Sequence, residues 1–199
     1  MISDPALTPE TREDLAGIIA ATDRLERWTR SLLSYLHPMK PNFSRIELRG
    51  VLDNVFDLCR LRIEEKNLTV VRDDGEAGLI VSLDVELMEQ ALQGLIVNAI
   101  EASPDGEQLT LRVASSHSRV SIYVLDHGPG MPLVRGATDL APGPTTKRFG
   151  AGLGIPFALR VIEEHGGAIE FRSRQPVGAE VIVVIPKHQV GEGSVDVNE

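Results

Sequence analysis

Three stretches between residues 48 and 166 place apolar residues at helical spacing, and none can bury its own stripe. Residues 48–66 carry Val51, Leu52, Val55, Phe56, Leu58, Cys59 and Ile63. Residues 85–103 carry Leu87, Met88, Ala91, Leu92, Leu95, Ile96 and Ile100, with Asp84 placed to cap the start. Residues 155–165 are mostly apolar and run into Gly166-Gly167, a helix stop. Such helices need a common cover, and the chain supplies one. Residues 109–113 and 120–125 alternate apolar and polar like paired antiparallel strands. Residues 168–172 and 180–185 read as a last hairpin. Residues 68–71 and 79–83 read as strands on either side of an Asp73-Asp74-Gly75-Glu76 turn. The sum is an α+β fold, a two-layer α/β sandwich with helices on one face and an antiparallel C-terminal sheet.

A long amphipathic helix precedes this unit. Thr8-Pro9-Glu10 is a helix start, with Thr as cap, Pro in the first turn and an acid after it. Leu15, Ile18, Leu25, Leu32 and Leu36 then recur with a period near 3.5 residues, the pattern of a helix-pairing seam. Pro38 ends the helix. Residues 38–44 read as a linker. The domains are therefore expected at 1–43, helix and linker, and 44–186, the sandwich, with 187–199 a disordered tail.

The net charge of −9 excludes a non-specific nucleic-acid binder or a membrane-surface protein. An anionic ligand would need a local positive site or a metal ion. The single cysteine, Cys59, excludes an intrachain disulfide and fits a cytoplasmic location; its apolar setting reads as core. No apolar run approaches the roughly 18–20 residues of a membrane span.

Thr145-Thr146-Lys147-Arg148-Phe149-Gly150-Ala151-Gly152-Leu153-Gly154 stands just before the third helix. Glycines at every second position let backbone N–H groups approach a bulky anion, and a helix start adds its positive end. A phosphate fits there, with Lys147 as a full charge. Alone, the stretch reads equally well as a flexible loop before a surface helix. Upstream, residues 131–149 lack any period, which marks a functional or mobile segment. Three further groups precede or follow in order: Asn98-Ala99-Ile100-Glu101-Ala102 late in a helix, Asp126-His127-Gly128-Pro129-Gly130-Met131 after a strand, and Gly178-Ala179-Glu180 opening the last strand.

In order and spacing these groups resemble the ATP-binding catalytic domain of sensor histidine kinases, of the superfamily shared with type II topoisomerase ATPase subunits and heat-shock chaperones. The resemblance covers about residues 44–186. Residues 8–43 resemble the second helix of the kinases' dimerisation and phosphotransfer hairpin, and Ser34-Tyr35-Leu36-His37-Pro38 its ending in the nitrogen-regulation branch. The resemblance implies ATP and Mg²⁺ as cofactors. It implies that Asn98 ligates the metal, that Asp126 accepts a hydrogen bond from the adenine amino group, and that Gly128 and Gly130 bend the chain under the base. It puts Lys147, Gly150, Gly152, Leu153 and Gly154 on the phosphates. It implies as partners a phosphoacceptor helix of the same kinase, a response regulator, and a second copy paired through residues 8–37.

The chain departs from the pattern too. Gly94 stands where the family carries a polar residue one turn before the metal asparagine, which puts phosphate contact or transfer in doubt. The lid phenylalanine positions are Leu140, Gly143 and Pro144. His127 replaces a usual Asn, and Ala179 a usual Thr. None of the five histidines stands in the family's acceptor setting, so the expectation is the C-terminal part of a kinase acting on a histidine elsewhere. The alternative is a nucleotide-binding or interaction module without transferase activity. A weaker one, a stand-alone serine kinase of the anti-sigma-factor type, is opposed by the long seam helix. Burying each seam side chain contributes about 1.5–3 kcal/mol before ordering costs. Sedimentation at several concentrations is expected to show association. A strict monomer with the seam folded onto residues 44–186 would overturn that expectation.

Overall fold

The computed structural model describes residues 39–130 and 154–188, with Thr11, Leu15, Ile18 and Thr22 of an N-terminal helical stretch. Among them, the order is β1 (Ser44–Glu47), α1 (Leu48–Glu65), β2 (Thr69–Asp73), β3 (Ile80–Leu83), α2 (Val85–Ala102), β4 (Gln108–Ser115), β5 (Arg119–Leu125), α3 (Gly154–Glu164), β6 (Ala168–Ser173) and β7 (Ala179–Pro186). The main sheet has five strands in the order β2-β4-β5-β7-β6. Alternation puts Leu109, Leu111 and Val113 of β4, Val120, Ile122 and Val124 of β5, and Val181, Val183 and Ile185 of β7 in the core. All three helices bury their apolar stripes with these residues, which is the expected two-layer sandwich. Cys59 is fully buried, and desolvation pushes its thiol above the ordinary value.

The sheet is not wholly antiparallel. β4, β5, β7 and β6 pair antiparallel, as expected. β2 runs parallel to β4, with Thr69 opposite Gln108 and Asp73 opposite Arg112. Parallel neighbours need a long crossover, and α2 lies within it. No strand was expected at residues 44–47. Ser44 opens β1, which pairs antiparallel with β3. Nor is Lys187 part of a loose tail: its N–H donates to the Ser118 carbonyl and its carbonyl accepts from Ser82 N–H, both at 2.9 Å. Those bonds join the small sheet to the large one. Residues 189–199 lie outside the described residues.

Both ends of α2 and the start of α1 are closed by named groups. Asp84 Oδ1 accepts from Leu87 N–H at the start of α2, as expected. At the other end of α2 the Lys66 ammonium donates to the carbonyls of Ile100 and Ser103, placing a cation on the negative end of the helix. α1 has no side-chain cap; Leu48 N–H donates instead to the Leu79 carbonyl at 3.0 Å. On the outside, Arg72 pairs with Asp53 and Asp74 and lies 4.9 Å from the Phe56 ring centre. Of the N-terminal seam, Leu15 is half-buried and Ile18 is 61% exposed. Leu25, Leu32 and Leu36 lie outside the described residues.

His165 ends α3 and is fully buried. Its Nδ1 bonds the Val161 carbonyl at 2.7 Å, and its Nε2 accepts from Asp84 N–H at 3.0 Å. The ring meets Phe43 edge-on at 5.1 Å. Both bonds are satisfied by the neutral ring with its proton on Nδ1. Burial lowers its pKa below 6.5, against the opposing effects of the Val161 carbonyl, Asp84 and Glu164. A lowered folded pKa means that the unfolded chain takes up protons first, so stability is lost as pH falls through 6.5. Denaturant unfolding from about pH 7.5 to 5.5 should show this loss, and His165→Gln should lack that part of the slope. A slope unchanged in the variant would show that another group is responsible.

Candidate functional site

Gly94, Asn98 and Ala102 recur every fourth residue on α2 and form one row along its surface. Two chain segments rest on this row. Gly154, the first residue of α3, meets the Gly94 end: a methyl group added at Gly94 would lie 3.5 Å from Gly154 Cα. A methyl added at Gly154 would lie 3.5 Å from Asn98 Nδ2 and 3.7 Å from the Gly94 carbonyl oxygen. Gly128 meets the other end, so closely that a methyl there would fall 2.7 Å from the Ala102 carbonyl oxygen. Asn98 thus sits between two backbone contacts. It is half-buried, and its amide makes no hydrogen bond among the described residues.

Asp126 follows β5 and is 4% exposed. Its Oδ1 accepts from Gly128 N–H at 2.8 Å and Ala179 N–H at 3.0 Å. The main chains pair as well, Asp126 N–H donating to the Ala179 carbonyl at 3.0 Å. Its Oδ2 takes no hydrogen bond among the described residues. A buried carboxylate held through one oxygen leaves the other to accept from an incoming donor. Arg174 Nη1 donates to the Asp126 carbonyl at 3.1 Å. Its guanidinium brings positive charge to this end of the sheet.

Of the residues expected to bind the cofactor, Asn98, Asp126, Gly128, Gly130 and Gly154 fall on this row or at its ends. Gly128 has a different reason to be glycine than bending under a base: any side chain would strike Ala102. Gly130 adopts φ +84°, and a methyl added there would lie 3.2 Å from the Gly178 carbonyl oxygen. His127 is tied to the neighbouring strand, its Nδ1 2.7 Å from the Gln108 carbonyl oxygen. Lys147, Gly150, Gly152 and Leu153 lie outside the described residues, as does the segment 131–149 expected to be mobile. Arg174 lies outside every motif read from the sequence, and Ala102 appears there only as the last residue of the Asn98 group. No cluster of three or more His, Cys, Asp or Glu positions is found among the described residues. None of the described helices is long and apolar enough to cross a membrane.

The fold and this row define a two-layer sandwich of the ATPase class. The chain belongs to the histidine kinase-, DNA gyrase B- and HSP90-like ATPase family, whose sequence profile matches residues 83–189, more than half its length. It is 28% identical over 179 residues to Sporulation kinase C of Bacillus subtilis (strain 168), covering 89% of this chain and 42% of that protein. It is 31% identical over 196 residues to the sensory histidine kinase/phosphatase NtrB of Salmonella typhimurium, covering 93% of this chain and 54% of that protein. The chain thus spans about half or less of these relatives. Among solved structures it resembles the catalytic domain of histidine kinase ThkA, with TM-score 0.68 and 28% identity over 74% of this chain and 99% of that domain. It also resembles ThkA in complex with the response regulator TrrA, with TM-score 0.76 and 27% identity, over 91% of this chain and 53% of that one.

The Asp126 end depends on Gly178. Its φ is +105°, and a methyl there would fall 2.1 Å from the Asp126 carbonyl oxygen. Gly178→Ala is expected to destabilise the chain by about 2 kcal/mol or more in urea unfolding. Wild-type stability in that variant would mean that the β5–β7 junction yields at little cost.

Proposed function

We propose that this chain is the ATP-binding catalytic part of a sensor histidine kinase, passing the γ-phosphoryl group to a histidine outside the chain. The observation that carries the reading is the α2 row, with the Asp126 carboxylate at one end, Asn98 in the middle and the start of α3 at the other. Asp126 Oδ2 receives the adenine amino group, and an acceptor in that place rejects the carbonyl of guanine. The first turn of α3 presents free N–H groups and a positive helix end to the phosphates. Gly150, Gly152 and Leu153 continue that contact, and Lys147 adds a charge.

Asn98 would suit Mg²⁺, since it offers one hard oxygen from an amide with no hydrogen bond to break among the described residues. When bound, the ion neutralises charge on the phosphates. The residues of this chain hold the base, orient the phosphate chain and supply donors to it.

We place the acceptor elsewhere, and two of the four described histidines are engaged within the fold. His165 is buried with both ring nitrogens bonded, and His127 is tied to Gln108. An imidazole must come in line within about 3–3.5 Å of the γ-phosphorus. We place it on a phosphoacceptor helix of the same kinase, with residues 8–37 as the second helix of the dimerising hairpin. The exposed Ile18 supports a seam that awaits a partner copy. A response regulator as the final recipient is supported by the ThkA–TrrA complex. The second reading, a nucleotide-binding module without transferase activity, is favoured by one residue, Gly94, which supplies no polar side chain near the phosphates.

Calorimetry with ATP and GTP in Mg²⁺ tests the reading. ATP is expected to bind and GTP to bind at least about tenfold more weakly. Asp126→Asn should lower ATP affinity by about tenfold, as a charged hydrogen bond contributes about 1.5–3 kcal/mol. Equal affinity for the two nucleotides would end the assignment of Asp126. Adding an acceptor hairpin with ATP separates the kinase from the inactive module.

A further inference from the structure

Gly94 reads from the sequence as a loss, a missing polar group one turn before Asn98. The packing around it gives the position a task. Gly94 is half-buried on the same row of α2 as Asn98, four residues away. A methyl added there would meet Gly154 Cα, O and C at 3.5, 3.6 and 3.8 Å. Those are ordinary contact distances, so a methyl fits beside Gly94 against Gly154, and the further atoms of a larger side chain would have to pass around that contact. Across the same contact, a methyl on Gly154 would lie 3.5 Å from Asn98 Nδ2. Gly94 and Gly154 therefore meet backbone to backbone, with the Asn98 side-chain amide beside them. The spacing between the Asn98 amide and the first turn of α3 is set by how closely Gly94 lets that turn approach.

We propose that Gly94 is a positioning residue for the phosphate end of the nucleotide site: having no side chain, it seats the start of α3 directly on α2, beside Asn98. This rests on the reading of Asn98 and α3 as the groups that address the phosphates. On that reading the polar side chain missing at Gly94 is replaced by helix-terminal N–H groups brought into its place. Glycine within a helix is disfavoured relative to alanine, and the close approach of α3 is what offsets it.

The proposal separates the two ends of the nucleotide. Gly94 does not touch the Asp126 end, so a side chain there should weaken ATP and leave adenosine alone. Valine is the informative substitution. Its two γ-methyls are held in one preferred rotamer in a helix and cannot turn away from Gly154. Valine is also no worse a helix former than glycine, so helix loss would not explain a change. Titrations of the full chain with Mg²⁺-ATP and with adenosine are run on Gly94→Ala, Gly94→Ser and Gly94→Val. The expected result is ATP affinity falling with side-chain size, by about tenfold at valine, and adenosine affinity within about twofold of the unaltered chain throughout. Gly94→Ala should stay near the unaltered chain for ATP while melting at a higher temperature. ATP affinity that survives valine overturns the proposal, and so does a parallel fall for ATP and adenosine. Should the valine variant not fold, Gly94→Ser and Gly154→Ala decide by the same criterion. An unaltered chain that binds adenosine but gains nothing from the phosphates removes the proposal and leaves the base site standing. One that binds neither removes the proposed function and this inference together.

Discussion

The register between α2 and α3 is the constraint on which the rest of the structure depends. The two helices run antiparallel and are fastened twice. At one end Asp84, the cap of α2, donates its N–H to His165 at the end of α3. At the other, Gly94 meets Gly154. From Asp84 to Gly94 the chain rises roughly 15 Å, and from Gly154 to His165 roughly 17 Å, at about 1.5 Å per residue. The two spans match, so both fastenings close without bending either helix. The register also decides where the first turn of α3 stands relative to Asn98.

The two ends of the site are built differently. Asp126 is fixed before any ligand arrives. Its carboxylate is held by two backbone N–H groups, its main chain is paired with Ala179, and the loop after it is pressed onto Ala102 through Gly128. Little ordering cost is left for a base that docks there, which favours both affinity and discrimination. Asn98 has no such anchor, and only the glycine contact fixes what stands beside it. The Asp126 end is preorganised in hydrogen bonds, whereas the Asn98 end depends on helix packing.

Much of this was legible because the signals are local. The Asp84 cap, the α2 stripe, the alternating β4 and β5, and the order of Asn98, Asp126 and Gly154 all lie in short windows. Family resemblance then supplied roles that the windows alone do not. What escaped depends on distant partners. β1 is four residues long, carries no period, and exists because β3 pairs with it. β2 is apolar enough to be a strand, but nothing in it says that its neighbour is parallel. Lys66 looks like any surface lysine until α2 ends against it. Gly94 was read from what the family has there rather than from what this chain packs against it, and only the position of Gly154 supplies that.

The Asp84–His165 fastening also reaches beyond the helices. Asp84 Oδ2 accepts from Asn42 N–H at 2.7 Å, and Phe43 stacks edge-on against His165. The segment leading into β1 is thus attached to the same two residues that set the α2–α3 register. The chemistry there suits a junction of several elements. Asp84 presents one N–H and two carboxylate oxygens, and each is used by a different segment. His165 presents one donor and one acceptor in a ring that also has an apolar face. A buried ion pair would carry a desolvation penalty and lose several kcal/mol if one partner moved. The two bonds of the neutral His165 ring contribute only about 1 kcal/mol each. A junction of that kind specifies a register without making it irreversible, and it holds only while the imidazole stays unprotonated.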